Sequence, residues 1–190
     1  MTALLTAVLA FGLTGCTGNT TGGTPTTPSD TGAGQTSSTP TSEESSSGLS
    51  ITEYVSKPCD ILKPDQVATF GSVKAGTPGT AVLGPSCKWD GQSPTKNTGY
   101  EVTVTTGKDF EAQVAGVKDR PVFEDKKIDG VRVITTDGTD GKTYCLASIQ
   151  ISKTDSVTLQ IASAAAERAT KKPCPEAERV AQLIITNLKG

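Results

Sequence analysis

Five cysteines are the residues of this 190-residue chain whose type and spacing best suit chemistry, and the first stands apart. Cys16 ends the stretch Leu13-Thr14-Gly15-Cys16, which closes an apolar run that starts at Ala3. The run is too short to span a bilayer, which needs about 20 apolar residues, but suits a signal-peptide h-region of about 7 to 15 residues. Small residues before a thiol suit signal-peptidase cleavage and transfer of a diacylglyceryl group. The sequence therefore predicts a lipoprotein signal peptide over residues 1–15 and lipidation of Cys16.

Lipidation would hold the chain at the extracytoplasmic face of the cell membrane. Each buried CH₂ contributes about 0.8 kcal/mol, and stable anchoring takes more than one acyl chain, which a diacylglyceryl cysteine provides. An ordinary secretory signal with an incidental cysteine is the alternative. A signal n-region ordinarily carries Lys or Arg, and Met1-Thr2 carries neither. Either the signal is atypical or the true start lies upstream.

The other four cysteines, Cys59, Cys87, Cys145 and Cys174, indicate two disulfides, because an exported domain with an even number of cysteines pairs them. Three pairings exist. Cys59–Cys87 with Cys145–Cys174 is preferred, since each bond closes a loop of about 30 residues and contributes about 3–4 kcal/mol. Cys59–Cys174 with Cys87–Cys145 stays open as the alternative. Zinc is disfavoured, because the chain has no CxxC spacing and no histidine.

Other chemistry finds little support. The lack of histidine removes the commonest general base and the Ser-His and Cys-His nucleophile pairs. No catalytic, cofactor-binding or metal-binding motif occurs, so none is predicted. Glu124, Asp125 and Asp129 could hold an acid/base pair, but a solvated loop face is the preferred interpretation. The stretch Asp137-Gly138-Thr139-Asp140-Gly141 lacks the spacing and closing glutamate of an EF-hand calcium loop, so a hairpin turn is predicted there.

Composition divides the rest of the chain into a tether and a domain. Residues 16–50 are rich in Thr, Ser, Gly and Pro, with charges only at Asp30, Glu43 and Glu44. Such a segment buries too little apolar surface to order itself, so a disordered tether is predicted. As a flexible coil of about 34 residues it would span about 30–35 Å. Its Ser/Thr-Pro runs suit either an O-glycosylated stalk or an unmodified spacer. Residues 51–190 are predicted to form a single globular domain.

The domain's predicted elements follow the order α-β-β-α-β-β-β-α, which indicates an α+β fold with helices packed on an antiparallel sheet of about five strands. Helices are predicted at 64–71, at 109–117 and from Pro175 onward. The second of them would place Phe110, Val114 and Val117 on one face. The last helix carries a wide apolar stripe at Ala177, Val180, Ala181, Ile184, Ile185 and Leu188. Strands are predicted from Cys87 and at 100–105, 127–134, 144–151 and 157–162, the last three forming an antiparallel meander. Residues 76–85 are predicted as a Gly/Pro loop.

Charge argues against two classes of partner. The formal net charge is −2, and the chain has no basic run. We therefore do not expect the chain to bind nucleic acid. Sustained electrostatic attraction to anionic lipid is not expected either.

Several of these motifs together resemble the actinobacterial lipoproteins that carry domain of unknown function 3558. The resemblance covers Cys16 to Gly190. Its matching segments are Pro58-Cys59-Asp60-Ile61-Leu62, Cys87-Lys88-Trp89, Gly130-Val131-Arg132-Val133, Tyr144-Cys145 and Pro173-Cys174-Pro175-Glu176-Ala177. The chain departs from the pattern in its uncharged n-region and at Lys63, where a Ser or Thr helix cap would be expected. The resemblance implies export, anchoring and residence in the cell envelope, and it implies no reaction.

Three functions are compatible with the sequence. A non-enzymatic envelope lipoprotein that binds a protein or assists a membrane complex is preferred. A carrier of lipid, glycolipid or cell-wall fragments would need an apolar cavity of about 300–1,000 Å³. Trp89 and Tyr100 could line such a pocket, but core packing is preferred for them, and only 4% of residues are aromatic. A carboxylate-based hydrolase would need two close carboxylates in a cleft.

Overall fold

One antiparallel sheet of seven strands dominates residues 47–190, the part of the chain that the computed structural model describes. The predicted signal peptide, Cys16 and most of the predicted tether lie outside the described residues. In chain order the elements are 3₁₀ helices at Thr52–Val55 and Pro58–Ile61, α1 (Pro64–Ala68), β1 (Thr77–Ala81), β2 (Gly84–Trp89), β3 (Gly99–Thr105), α2 (Phe110–Ala115), β4 (Val122–Ile128), β5 (Val131–Asp137), β6 (Tyr144–Gln150), β7 (Ser156–Ala162) and α3 (Pro173–Lys189).

The sheet consists of two meanders that meet at its centre. Its strand order is β1-β2-β3-β7-β6-β5-β4, so β1–β3 form one meander and β4–β7 the other. The chain passes between them through α2, and β7 returns to pair with β3 from Gly99↔Ala162 to Thr105↔Ser156. The predicted meander of the last three strands is confirmed as β5, β6 and β7.

One face of the sheet packs against α3 and forms the core. Alternate residues of the central strands, such as Val102, Leu159 and Ile149, point to this face and are buried. The apolar stripe of α3 packs on them, and Val180 and Ile184 have no exposed surface. Burial of these side chains away from water is the main stabilising contribution of the helix. The α+β class is thereby confirmed.

The opposite face, called here the outer face, is partly covered by the short helix α2. The carboxylate of Asp109 accepts a hydrogen bond from the backbone N–H of Ala112 at 2.7 Å and so caps the helix. Arg132 of β5 holds α2 to the sheet, because its guanidinium lies 5.7 Å from the ring centre of Phe110 and pairs with Glu111.

The expected count of about five strands was wrong, and β4 is one reason. Residues 127–134, predicted as one strand, turn back at Asp129 and Gly130, whose φ angles are 50° and 82°. Two positive φ angles at Asp-Gly are typical of a tight hairpin turn. β4 itself is an edge strand with four consecutive charged residues at 124–127. Charges on an edge strand oppose pairing with another chain. They also interrupt the alternation of apolar and polar residues from which a strand is predicted.

The second missed strand is β1, which lies within the predicted Gly/Pro loop. Its sequence, Thr77-Pro78-Gly79-Thr80-Ala81, has neither alternation nor large side chains. Proline is tolerated in a sheet at an edge, where its missing N–H breaks no ladder, and β1 is the other edge strand. Because β1 pairs with β2 from Gly84 onward, Cys87-Lys88-Trp89 ends β2 rather than opening it.

Two disulfides are present, as expected. Cys59–Cys87 joins the second 3₁₀ helix to β2 with a Cα–Cα distance of 4.9 Å, and Cys145–Cys174 joins β6 to the first turn of α3 at 5.1 Å. The structure therefore has the preferred pairing, in which each cysteine bonds to its neighbour along the sequence, and not the alternative.

The helix after Cys59 is shorter than expected, since α1 ends at Ala68. Lys63 provides no side-chain hydroxyl as a cap. Instead, the side chain of Gln66 accepts a hydrogen bond from the backbone N–H of Lys63 at 2.8 Å. Gln66 also accepts one from Asn187 of α3 at 2.7 Å. The start of α1 is therefore stabilised by Gln66 and by contact with α3.

Candidate functional site

Glu124, Asp125 and Asp129, the carboxylates from which an acid/base pair could have formed, each have a different partner. Glu124 and Asp125 are successive residues of β4 and so point to opposite faces of the sheet. Glu124 pairs with Lys126 at 2.9 Å and Asp125 with Arg132 at 2.8 Å. Asp129 lies in the β4–β5 turn and accepts a hydrogen bond from Gln182. Hydrogen bonding to Arg132 holds the pKa of Asp125 below its ordinary value. A general acid at neutral pH needs the opposite shift.

The stretch 137–141 forms part of the connection from β5 to β6. The carboxylate of Asp137 accepts hydrogen bonds from the hydroxyl of Thr139 at 2.6 Å and from the backbone N–H of Gly141 at 2.8 Å. Burial raises the pKa of Asp137, but these bonds outweigh it and leave the pKa lowered. No group of three or more His, Cys, Asp or Glu within residues 47–190 could hold a metal ion. The stretch is a hairpin turn.

Trp89 and Tyr100 lie in the core, and each also borders a surface depression, Trp89 one of about 520 Å³ and Tyr100 one of about 230 Å³. They pair across β2 and β3 and are 3% and 1% exposed. The ring of Phe70 stacks on Tyr100 at a centroid distance of 4.1 Å and meets Trp89 edge-on at 6.3 Å. The edge-on contact of Phe70 with Trp89 has the geometry that aromatic pairs favour.

A charged cluster with a buried carboxylate lies beside these rings and was not predicted from the sequence. Glu176, in the first turn of α3, is 9% exposed and accepts a hydrogen bond from the Tyr100 hydroxyl at 2.9 Å. Its two carboxylate oxygens also accept from Nε and Nη2 of Arg179, both at 2.8 Å. A bidentate arginine–carboxylate pair of this kind is among the stronger hydrogen-bonded contacts in proteins. The three residues are called the Glu176 cluster.

The surroundings of the Glu176 cluster are also hydrogen-bonded. Lys171 donates to the carbonyl of Phe70 at 2.7 Å and lies 5.9 Å from the ring centre of Tyr100. Glu167 accepts from the backbone N–H and the hydroxyl of Thr98 at 2.9 and 2.6 Å. These bonds connect the segment before α3 to the residue two positions after α1 and to the residue just before β3.

The electrostatics of the Glu176 cluster suit a structural role. Burial raises the pKa of Glu176, but hydrogen bonds from Arg179 and Tyr100 and the charges of Arg179 and Lys171 outweigh it, so the pKa is lowered. Burial, the charge of Glu176 and the hydrogen bond to it raise the pKa of Tyr100. Both groups keep one protonation state around neutral pH, whereas a general acid or base needs a pKa near the working pH.

A sequence signal for this cluster did exist. Glu176 lies four residues before Val180, which places it on the apolar stripe of α3 rather than on its solvent face. Arg179 follows three residues later, at the spacing at which helix side chains meet. A charged residue on an apolar stripe, with a partner of opposite charge nearby, indicates a buried ion pair.

An apolar groove opens on the outer face between α2 and the sheet, with a volume of about 250 Å³. Phe110, Val114 and Val117, the apolar face predicted for α2, line one side, and Ile134 and Leu146 line the other. Leu83, from the turn between β1 and β2, lies at its edge. This site is called the α2 groove.

The polar side chains that line the α2 groove have hydrogen-bond partners within the protein. Arg120 donates to the hydroxyl of Thr136 at 3.4 Å, and the hydroxyls of Ser148 and Thr158 lie 3.2 Å apart. The apolar walls are therefore what the groove offers to a ligand. The wall of the groove that α2 provides was predictable from the apolar face of that helix. The opposite wall had a weaker signal, since the consecutive apolar residues Val133 and Ile134 indicate that both faces of β5 are covered.

A larger depression, of about 710 Å³, lies between the β5–β6 turn and the segment that precedes α3. Its wall carries Asp140, Lys142, Arg168 and Lys172, and Lys142 pairs with Asp140 at 2.8 Å. The charged wall makes it unlike the apolar cavity that a lipid carrier requires.

The predicted lipidation site, Cys16, lies outside the described residues. Within residues 47–190, no helix is long and apolar enough to cross a membrane.

Comparison with known proteins gives one match. A family described as "Protein of unknown function (DUF3558)" matches residues 11–187, which include Cys16 and the four disulfide cysteines. No curated protein and no solved structure matches the chain.

Proposed function

The chain belongs to the DUF3558 family, whose function is unknown, and we propose that it is a cell-envelope lipoprotein whose domain binds another protein without catalysing a reaction. The stretch Leu13-Thr14-Gly15-Cys16 has the form of a lipobox, the cleavage and acylation site of a lipoprotein precursor, and so supports anchoring through Cys16 at the extracytoplasmic face of the membrane. The two disulfides support a place outside the cytoplasm.

The α2 groove is the observation that carries the binding proposal. Its volume of about 250 Å³ is below the 300–1,000 Å³ of common small-molecule sites, so it suits one or two apolar side chains rather than a whole lipid. Its apolar walls with a hydrogen-bonded polar rim follow the pattern of protein interfaces. A depression of about 520 Å³ beside Trp89, lined partly by Leu62 and Val67, lies within that range, so a carrier is the alternative function. A hydrolase is less well supported, because Glu124, Asp125 and Asp129 have separate partners.

Replacement of the acylated cysteine tests the anchor. Cys16→Ala should release the chain from the membrane fraction of an actinobacterial host, because the variant has no thiol to carry the acyl chains. Fractionation followed by intact-mass analysis would measure this, with Thr17→Ala as the matched control that keeps the acyl mass. Retention of Cys16→Ala in the membrane, or a wild-type chain without acyl mass, would contradict the proposal.

A photo-crosslinking amino acid at Val117 tests the groove. In intact cell envelopes we expect it to join the chain to a protein partner, whereas the same group at exposed Lys142 should not. Val114→Arg, which places a charge in the groove, should abolish the product. Native mass spectrometry of the chain after lipid extraction complements this test. A stoichiometric lipid or glycan adduct lost with Val114→Arg would show a carrier instead.

A further inference from the structure

The turn between β1 and β2 presents apolar side chains to solvent. Val82 is 100% exposed and Leu83 is 38% exposed, and they are the exposed large hydrophobic residues of the described part of the chain. Ala81 and Gly84 pair with each other, so Val82 and Leu83 form the tip of the hairpin. Leu83 also borders the α2 groove, whereas Val82 packs against nothing.

The hairpin tip lies at the same end of the sheet as the β3–α2 and β6–β7 connections. Gly84 backs onto the end of β3, where a Cβ would overlap the carbonyl of Val104. Thr105, the last residue of β3, pairs with Ser156, the first of β7. β2 and β6 are separated by β3 and β7, which corresponds to about 14 Å across the sheet.

The described chain begins at this same end. The hydroxyl of Ser47 donates to the carbonyl of Ile151 at 2.9 Å, in the β6–β7 connection. Leu49 and Ile51 then enter the core. The 30 residues between Cys16 and Ser47 therefore lead to the end of the sheet that carries the apolar tip.

The β3–α2 and β6–β7 connections at this end carry two exposed lysines that can contact phosphates. Lys108 and Lys153 are exposed and take part in none of the ion pairs recorded among residues 47–190. The carboxylates of Asp109 and Asp155 accept hydrogen bonds from backbone N–H groups, that of Asp155 from Gly107 at 3.1 Å. Contact with a surface here would depend mainly on the apolar tip.

We propose that this end of the sheet faces the lipid bilayer, and that Val82 and Leu83 insert into its headgroup region. The inference rests on the anchoring proposed above, because a tether that starts at an acylated Cys16 confines the domain near the membrane. Confinement raises the effective concentration, so a weak contact suffices to orient a tethered domain. Apolar residues of peripheral proteins commonly enter the boundary between headgroups and acyl chains. Lys108 and Lys153 would lie beside the lipid phosphates.

The fluorescence of a tryptophan placed at the hairpin tip would report how deeply the tip inserts into the bilayer. The chain from Cys16 to Gly190 has its other four cysteines in disulfides, so Cys16 can be coupled to a maleimide lipid in vesicles of phosphatidylcholine and phosphatidylglycerol. Val82→Trp should then emit at shorter wavelength than in solution and be quenched by brominated acyl chains. Lys142→Trp, in the turn at the far end of β6, is the matched control, and the parent chain gives the background of buried Trp89.

Quenching at position 82 that is several times stronger than at position 142 would support the proposal. Equal quenching at the two positions, or emission of Val82→Trp unchanged by the vesicles, would overturn it. If the tip binds a protein instead of lipid, the emission of Val82→Trp would be unchanged by the vesicles. Since the coupling is chemical, the outcome does not depend on whether cells lipidate Cys16. Failure of the anchoring proposal would appear separately, in the Cys16→Ala fractionation.

Discussion

Glu176→Ala should lower the free energy of unfolding by about 2–4 kcal/mol. The substitution leaves the hydroxyl of Tyr100, a 1% exposed residue, without its acceptor, and it removes both charged hydrogen bonds of Arg179. The Arg179 side chain is 40% exposed and regains water, which keeps the loss below that of a wholly buried ion pair. Alanine is a good helix former, so helix propensity contributes little to the effect.

Urea unfolding would measure this loss, with Glu111→Ala as the matched control. Glu111 also lies in the first turn of a helix and pairs with an arginine, Arg132, but its side chain is 64% exposed. An exposed pair contributes about 0–1 kcal/mol. Equal losses in the two variants would show that burial of the Glu176 cluster does not stabilise the fold.

The pH dependence of a second variant at this position, Glu176→Gln, gives another readout. The folded-state pKa of Glu176 is lowered from its ordinary value of 4.5. A lowered pKa contributes stability that is complete above the unfolded-state value and disappears as the pH falls through the folded-state value. The difference in stability between the wild type and Glu176→Gln should therefore be constant above about pH 5 and shrink below about pH 4.5. A difference that grows on acidification would contradict the assignment.

Elements with a local signal were predictable from the sequence. The stripe of α3 repeats at helical spacing over most of the helix. β3, β6 and β7 alternate between core and outer face with a period of two. β1 and β4 lack such a signal, because edge strands bury little and are selected against self-association. The Asp129-Gly130 pair was a usable turn signal that the apolar residues around it obscured.

The candidate sites were predictable only in part, because each needs residues brought together by the sheet. The apolar face of α2 indicated one wall of the α2 groove, but the other wall comes from β5 and β6. The Glu176 cluster joins residues 76 positions apart in the chain, and no local pattern reports such a contact. The carboxylates of Glu124, Asp125 and Asp129 are exposed, as their charge indicated, but Glu124 and Asp125 lie on β4 rather than in the expected loop.

The four disulfide cysteines offer a sharper case, because the sequence left the rival pairing open. Cys87 lies on β2 and Cys145 on β6, with β3 and β7 between them. Three strand spacings correspond to about 14 Å, whereas bridged cysteines have Cα atoms within about 7 Å. Pairing Cys87 with Cys145 would therefore require a different strand order. Proteolysis without reduction should release peptides that join Cys145 to Cys174 and none that join it to Cys87.

Removing the Cys145–Cys174 bridge should lower the free energy of unfolding by about 3–4 kcal/mol, since the closed loop is about 30 residues long. The variant Cys145→Ala/Cys174→Ala removes both thiols, so no unpaired cysteine can form a new bond. Because the bridge also keeps the unfolded chain compact, its removal should raise the urea m-value even where the packing of α3 on the sheet survives. Cys59→Ala/Cys87→Ala is the informative comparison, because its loop is of nearly the same length, with sequence separations of 28 and 29. A loop-closure origin predicts similar losses for the two variants. A loss confined to one of them would assign the stabilisation to contacts in the folded state instead.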